Sequence, residues 1–199
     1  MRLLLAISLS ICLVLSISAV ASAEVIRITP EVMDAELEMG DYSESGNIYS
    51  LSGELNFVAV RAGLDLGSGE FDDIEYTMTG VRIGTELPLV LFKLIAFGGY
   101  QNYKFESSDY VDADIKGTVF GVGLERKLNK FFSIRGVFTS SLDMEADDEK
   151  IDFSGVKLDC IFTTAPLVDF FAGYRSLRFE NDDSELEVSG LAAGVRLGI

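Results

Sequence analysis

After Pro30 the chain alternates apolar and polar side chains with a period of two, the spacing that sends successive side chains to opposite faces of a β-strand. Ten segments carry the pattern: 32–39, 49–55, 58–66, 74–87, 92–105, 115–127, 131–142, 151–163, 168–179 and 186–199. Most run 9 to 15 residues. A soluble strand averages about 5–6 residues, whereas a tilted strand that crosses a bilayer needs about 9–11. Segment length therefore predicts spanning strands. No window after residue 23 has the roughly 18 apolar residues of a membrane helix, so strands are the only available means of crossing.

The first 23 residues stand apart. Arg2 supplies a short basic start, and residues 3–18 are apolar except for Ser8, Ser10, Ser16 and the closing Ser18. Ala21-Ser22-Ala23 then offers the small-x-small pattern of signal-peptide cleavage, so 1–23 is read as a cleaved leader and 24–199 as one barrel domain. Ile11 precedes Cys12 where a lipid-anchor signal needs a small residue. The mature chain keeps only Cys160, so export takes place without an internal disulfide. Thirty-two acids against sixteen bases give a net charge of −16, which excludes the basic face that nucleic-acid binding requires.

The connections alternate in chemistry. Acidic ones are expected at 41–46, 67–73, 106–114, 143–150 and 180–185, and short apolar-to-basic ones at Asn56-Phe57, 88–91, 128–130 and 164–167. This rhythm predicts an all-β, closed, antiparallel up-and-down transmembrane barrel of ten strands with both termini at the short-turn end. If 48–66 is one strand, or if the weak first segment lies outside the sheet, the count is eight.

The two faces of the strands differ. One carries Val58, Val60, Ala62, Leu64 and Leu66, then Phe120, Val122 and Leu124, then Phe132, Ile134 and Phe138. It continues with Val156, Leu158, Cys160 and Phe162, and ends with Leu191, Ala193, Val195, Leu197 and Ile199. The other face mixes glycines with charge: Glu54, Arg61, Asp65, Arg82, Glu86, Glu125, Arg135, Lys157, Asp159, Arg175 and Arg196. Glycine has no reason to crowd a solvated face, but a narrow interior needs it to make room for long side chains. The charged face is therefore expected to line a lumen, with its bases paired to facing acids because unpaired buried charge is costly. The first strand could add Asp34, Glu36 and Glu38 to that face. The fifth segment does not sort into two faces.

With its leader, alternating strands, glycine-and-arginine face and closing run Leu191-x-Ala193-x-Val195-x-Leu197-x-Ile199, the chain resembles the small outer-membrane β-barrel proteins of the OmpA-barrel, OmpX and opacity-protein types. The resemblance is one of pattern over residues 31–199. It implies a bacterial outer-membrane location with periplasmic termini, and as partners outer-membrane lipid, lipopolysaccharide and the barrel-assembly machinery. Family members usually end in Phe or another aromatic, where this chain has Ile199.

Chemistry for catalysis is sparse. The chain has no histidine, the group most often used for proton transfer at neutral pH and the one on which outer-membrane proteases and lipid A enzymes rely by resemblance. Cys160 falls on the apolar face and reads as a small apolar residue. Gly121-Val122-Gly123 lacks a third glycine and a following helix, and the EF-hand-like start at Asp112 has Lys116 at a ligand position. No cofactor or resident metal is expected. Residues 41–46, 67–76, 104–116, 142–152 and 178–187 hold 21 acids and four bases, which reads as solvated acidic loops or as a surface for divalent cations. The expected function is a structural or surface-interaction barrel with a plugged interior, not an enzyme. A narrow pore and a soluble lipocalin-like binding barrel are the rival readings.

Overall fold

In the computed structural model the described residues are 25–40, 42–57, 60–107, 112–147, 149–181 and 184–199. The leader read at 1–23 lies outside them, as does Val58. Ten strands run in order: β1 Ile26–Met39, β2 Tyr42–Phe57, β3 Val60–Phe71, β4 Ile74–Pro88 and β5 Lys93–Ser107. They continue as β6 Asp112–Lys127, β7 Phe132–Ala146, β8 Glu149–Ala165, β9 Val168–Glu180 and β10 Glu185–Gly198. Each strand pairs antiparallel with its sequence neighbours, and β1 pairs with β10, closing a ten-stranded up-and-down transmembrane β-barrel. The eight-strand alternative is thereby excluded. Among the described residues there is no helix.

The weak first segment is a full strand that starts six residues earlier than the alternation suggested. It runs through Pro30, and its register with β10 is interrupted at Thr29 and Pro30, between Ile28↔Leu197 and Glu31↔Gly194. Proline has no N–H to donate to a ladder, and here the gap is confined to the seam of the barrel. The turn placed at Asn56-Phe57 is also corrected. Asn56 pairs with Arg61 and Phe57 with Val60, so β2 extends through both and the connection falls at 58–59, outside the described residues.

At the opposite end the connections are tighter than expected. Gly40, Asp72 and Asp147 have φ of 59°, 42° and 49° at two-residue hairpins, the left-handed conformation that tight primed turns need. The acids read as loop residues at 41–46, 67–76 and 142–152 consequently belong mostly to the strands themselves. Above the Thr118/Val119 irregularity the N–H of Thr118 donates to Asp143 Oδ1 at 3.0 Å, and this hydrogen bonding holds the Asp143 carboxyl below its ordinary range.

Strands of 12 to 17 residues exceed what a bilayer requires, and the surplus lies on the hairpin side. Inward and outward positions keep their parity along most strands, yet the chemistry of the two faces exchanges partway up. On β1 the outward residues Ile26, Ile28 and Val32 give way to Asp34, Glu36 and Glu38, all exposed. The inward residues change from Arg27 and Glu31 to Met33, Ala35 and Leu37. The expected placing of Asp34, Glu36 and Glu38 on the lumen face is therefore reversed. β3 repeats the exchange, from outward Leu64 and Leu66 to Ser68 and Glu70, and from inward Arg61 and Asp65 to Phe71. β10 does the same, with Leu191 and Leu197 outward nearer the C-terminus and Glu185 outward at the hairpin.

The result is two stacked zones. Near the termini an apolar belt faces lipid and charge lies inside. Phe57, Phe92, Phe131, Phe132, Phe162 and Phe170 girdle its lower margin, while Tyr49, Tyr100 and Tyr174 mark the upper one, all exposed. From Leu191 on β10 to Ile199 just past its end the belt spans nine residues, about 20–25 Å at barrel tilt. Above it the barrel reads as a water-soluble one, polar outside and packed with apolar side chains inside.

This boundary has a measurable consequence. Leu158→Arg or Val122→Arg, within the belt, should cost about 2–4 kcal/mol, whereas Ser154→Arg, one outward position above Val156, should cost less than about 1 kcal/mol. Urea titration of the barrel in lipid vesicles checks this, and equal costs for Leu158→Arg and Ser154→Arg would contradict the position of the belt.

Candidate functional site: the barrel lumen

Because inward positions recur every second residue on all ten strands, the lumen gathers side chains far apart in sequence. In the belt zone these are charged. Arg61 on β3 bridges Glu54 at 3.6 Å and Glu86 at 2.6 Å. Arg82 on β4 reaches Glu54 at 2.8 Å and also pairs with Asp65, which accepts a further hydrogen bond from Ser52 at 2.6 Å. Lys93 joins Glu86 at 3.0 Å to Glu125 at 3.4 Å, and Arg135 approaches the same two acids at 3.5 and 4.0 Å. Arg27 of β1 completes this cluster against Glu54 at 3.5 Å.

A second cluster occupies the other side of the seam. Arg175 on β9 donates through Nε and Nη2 to the two carboxylate oxygens of Glu31 on β1, at 3.2 and 2.6 Å. Such a two-pronged pair is the strongest form of this interaction. Arg175 also contacts Asp159 at 2.7 Å, and Arg196 reaches the other oxygen of Asp159 at 2.8 Å. Both guanidinium groups lie over the Phe171 ring, 5.6 and 5.1 Å from its centre. β1 serves both clusters, through Arg27 and Glu31, so ion pairs link side chains from all ten strands.

The structure thus brings together ten of the eleven charged positions singled out in the sequence: Glu54, Arg61, Asp65, Arg82, Glu86, Glu125, Arg135, Asp159, Arg175 and Arg196. Lys157 departs from the expected pairing. It projects inward between Gly155 and Asp159, opposite Val137 on β7 and Arg175 on β9, and among the described residues no carboxylate lies within ion-pair distance of it. The physical reason is competition. Arg175, with its planar fork, takes both nearby acids, Glu31 and Asp159.

Three charged members escaped the sequence reading. Arg27 and Glu31 precede the first segment, although the alternation continues backward across Pro30 through Ile26 and Ile28. Lys93 sits at the very start of β5. That strand did not sort because its lumen positions are apolar in the belt zone: Ile95 and Phe97 point inward while the outward Ala96 and Gly98 are small. The Phe97 ring lies where a Cβ on Gly121 would sit, 2.1 Å from its nearest atom, and Phe171 occupies the same relation to Gly194 at 2.5 Å. At these two sites the absence of a side chain is what admits the ring.

Toward the hairpins the lumen is apolar and filled. Leu37, Phe71, Ile74, Tyr76, Tyr103, Phe105, Phe153, Phe179 and Val188 are all at most 3 % exposed. Tyr103 packs on Phe153 and Phe179 with ring centres 5.5 and 5.0 Å apart, and Phe105 packs on Tyr76 and Phe179 at 5.3 and 5.9 Å. Between this aromatic plug and the ion pairs lies a cavity of about 180 Å³, lined by residues of both zones. Among the described residues no group of three or more Cys, Asp or Glu side chains is placed to hold a metal ion.

No family model and no curated protein matches the chain. Solved structures do. The chain is similar to the outer-membrane protease OmpT of Escherichia coli, with a TM-score of 0.64, 9% identity, and coverage of 87% of this chain and 96% of that one. It is similar also to the β domain of the Bordetella autotransporter BrkA, with a TM-score of 0.53, 8% identity and coverage of 88% and 100%. Neisserial surface protein A aligns with a TM-score of 0.49 and 15% identity over 87% of this chain and 97% of that one. At these identities the likeness is one of fold, and one fold carries many functions.

The two inward bases that behave differently should separate in stability. Arg175→Met leaves Glu31 without its partner and weakens the hold on Asp159, and should cost about 3–5 kcal/mol. Lys157→Met strands no acid and should cost less than about 1 kcal/mol. Urea titrations of both variants in vesicles test the assignment, and a large loss for Lys157→Met would refute it.

Proposed function

We propose that this chain is a bacterial outer-membrane barrel with a blocked lumen, acting as a structural or surface-interaction protein and not as an enzyme. The observation that carries the reading is the aromatic plug. A ten-stranded barrel is close to the size at which side chains fill the interior, and here the hairpin half is filled by nearly inaccessible apolar groups. An ion moving along the axis would have to cross that layer without water. The paired carboxylates of the belt zone have no histidine to work with, and their guanidinium partners hold them as ion pairs, which supports a scaffold role for them. In this reading the partners are outer-membrane lipid, lipopolysaccharide and the barrel-assembly machinery.

What reaches the exterior is then a collar of strand, rigid and acidic, with little free loop. A partner would meet Asp34, Glu36, Glu38, Glu70 and Glu75 on a surface without deep relief, and its attraction would weaken with salt because exposed charges are screened over about 8–10 Å. Divalent cations bridging these carboxylates to phosphate groups of the membrane are part of the proposal. The narrow-pore reading draws on the cavity alone.

Single-channel recording in planar bilayers should show no conductance steps for the natural chain. Replacing Tyr103, Phe153 and Phe179 together by alanine should open steps if the plug is what blocks the lumen, and steps in the unaltered protein would overturn the reading. Orientation is tested separately in a Cys160→Ser background. A membrane-impermeant thiol reagent on intact cells should label Asp73→Cys at a hairpin and spare Lys130→Cys at a short turn. Both are exposed positions with ordinary backbone, so neither substitution strains its turn. Labelling of Lys130→Cys alone would invert the topology.

A further inference from the structure

We infer that the lumen cavity at Lys157 is a binding site for a small amphiphilic carboxylate, one with a single negative charge and a short apolar tail. The inference deepens the blocked-lumen reading, because the plug forms the roof of the site.

The charge balance points to an anion. The residues lining the cavity include seven bases (Arg27, Arg61, Arg82, Arg135, Lys157, Arg175 and Arg196) against five acids (Glu31, Glu54, Asp65, Glu86 and Asp159). Every one of the arginines is spoken for by an acid at hydrogen-bond or ion-pair distance. Lys157 is not, although it is set among them. Its side chain is exposed, and since it stands on the inward face between the buried Gly155 and Asp159, that exposure is to the lumen. An ammonium in a confined space without a counter-charge is unfavourable, and an incoming carboxylate relieves it. A lysine is a flexible point charge that can follow a ligand, whereas the arginines are held in fixed forks.

The shape and lining select the rest of the ligand. Lys157 stands at the boundary of the two zones, with Arg175 beside it on β9 and Leu177 one inward step higher on the same strand. Above it the cavity is walled by Met33, Ile48, Tyr103, Phe153 and Leu177. The Tyr103 hydroxyl already donates to Gln101 at 2.6 Å, so this wall offers little further polarity. A volume of about 180 Å³ is small. An engineered apolar cavity of about 150 Å³ admits benzene, so a ligand of roughly that bulk with one charged end fits, and a long-chain lipid does not. Entry is from the turn end, past partly exposed arginines, because the hairpin end is filled.

The probe is hexanoate, titrated calorimetrically into the full barrel in lipid nanodiscs, with empty nanodiscs as the blank for partition into lipid. The natural chain should bind it saturably. Lys157→Met should weaken that binding at least tenfold, Lys157→Arg should retain it, and Leu177→Trp, which fills the apolar end without touching the charge, should also weaken it. No saturable binding, or binding equal in Lys157→Met, would overturn the inference. So would 1-hexanol binding as tightly as hexanoate, which would make the site merely apolar. Chloride or inorganic phosphate displacing hexanoate at matching concentration would make it an inorganic-anion site and reject the amphiphile. Conductance steps would defeat the blocked lumen alone, while a failed titration with no conductance would defeat the site alone.

Discussion

Everything in this molecule depends on the closure of one backbone ladder. In hydrocarbon no water is available to satisfy an unpaired N–H or C=O, and each such group costs several kcal/mol, so a sheet with free edges cannot stand there. The pairing of β1 with β10 removes the edges. It also explains why the first strand is kept in spite of Pro30: the loss of one donor at the seam is small beside the exposure of two whole strand edges. Once the ladder is closed, parity divides the side chains between lipid and lumen with no further freedom.

That division has to satisfy two solvents in succession. Within the bilayer the outward face must be apolar, and the charges go inside, where they are tolerable only in pairs. Above the bilayer water lies outside, so charge moves to the outer face and the lumen fills with Leu37, Phe71, Tyr76 and Phe105. The strands run through this change without a break, and only the choice of residue at each parity alters. The upper half therefore has a conventional hydrophobic core, from which the membrane-embedded half can draw stability that its own inside-out chemistry does not supply.

The ion pairs inside the belt are arranged around arginine. Guanidinium groups have several donors in a plane and so can join acids on non-adjacent strands, as Arg175 joins Glu31 on β1 to Asp159 on β8. Lys93 finds Glu86 and Glu125 in the same way, but Arg175 has taken both acids near Lys157, which is the member left facing open space. The imbalance that results between bases and acids is local to the lumen and opposite in sign to the chain as a whole, whose net charge is −16. The acids that dominate the total lie on the collar, in water.

Much of this was legible without coordinates. Period-two alternation, strand length and the rhythm of turns pointed to an up-and-down barrel, because in a closed antiparallel sheet those local features leave little topological choice; ten strands rather than eight was decided by the pairing of β1 with both β2 and β10. The glycine-and-arginine face identified ten of the thirteen charges that the lumen joins in ion pairs, missing Arg27, Glu31 and Lys93. What the sequence could not reveal was where along each strand lipid gives way to water. Alternation records which residues share a face but not which face is inside, and the sign of that answer reverses at the membrane boundary, so Asp34, Glu36 and Glu38 were misplaced by the same rule that placed Arg61 and Asp65 correctly. Partner choice was likewise beyond it. Which acids Arg175 takes, and hence that Lys157 is left alone over a cavity, depends on distances across the barrel between strands that are remote in sequence, and only closure sets those distances.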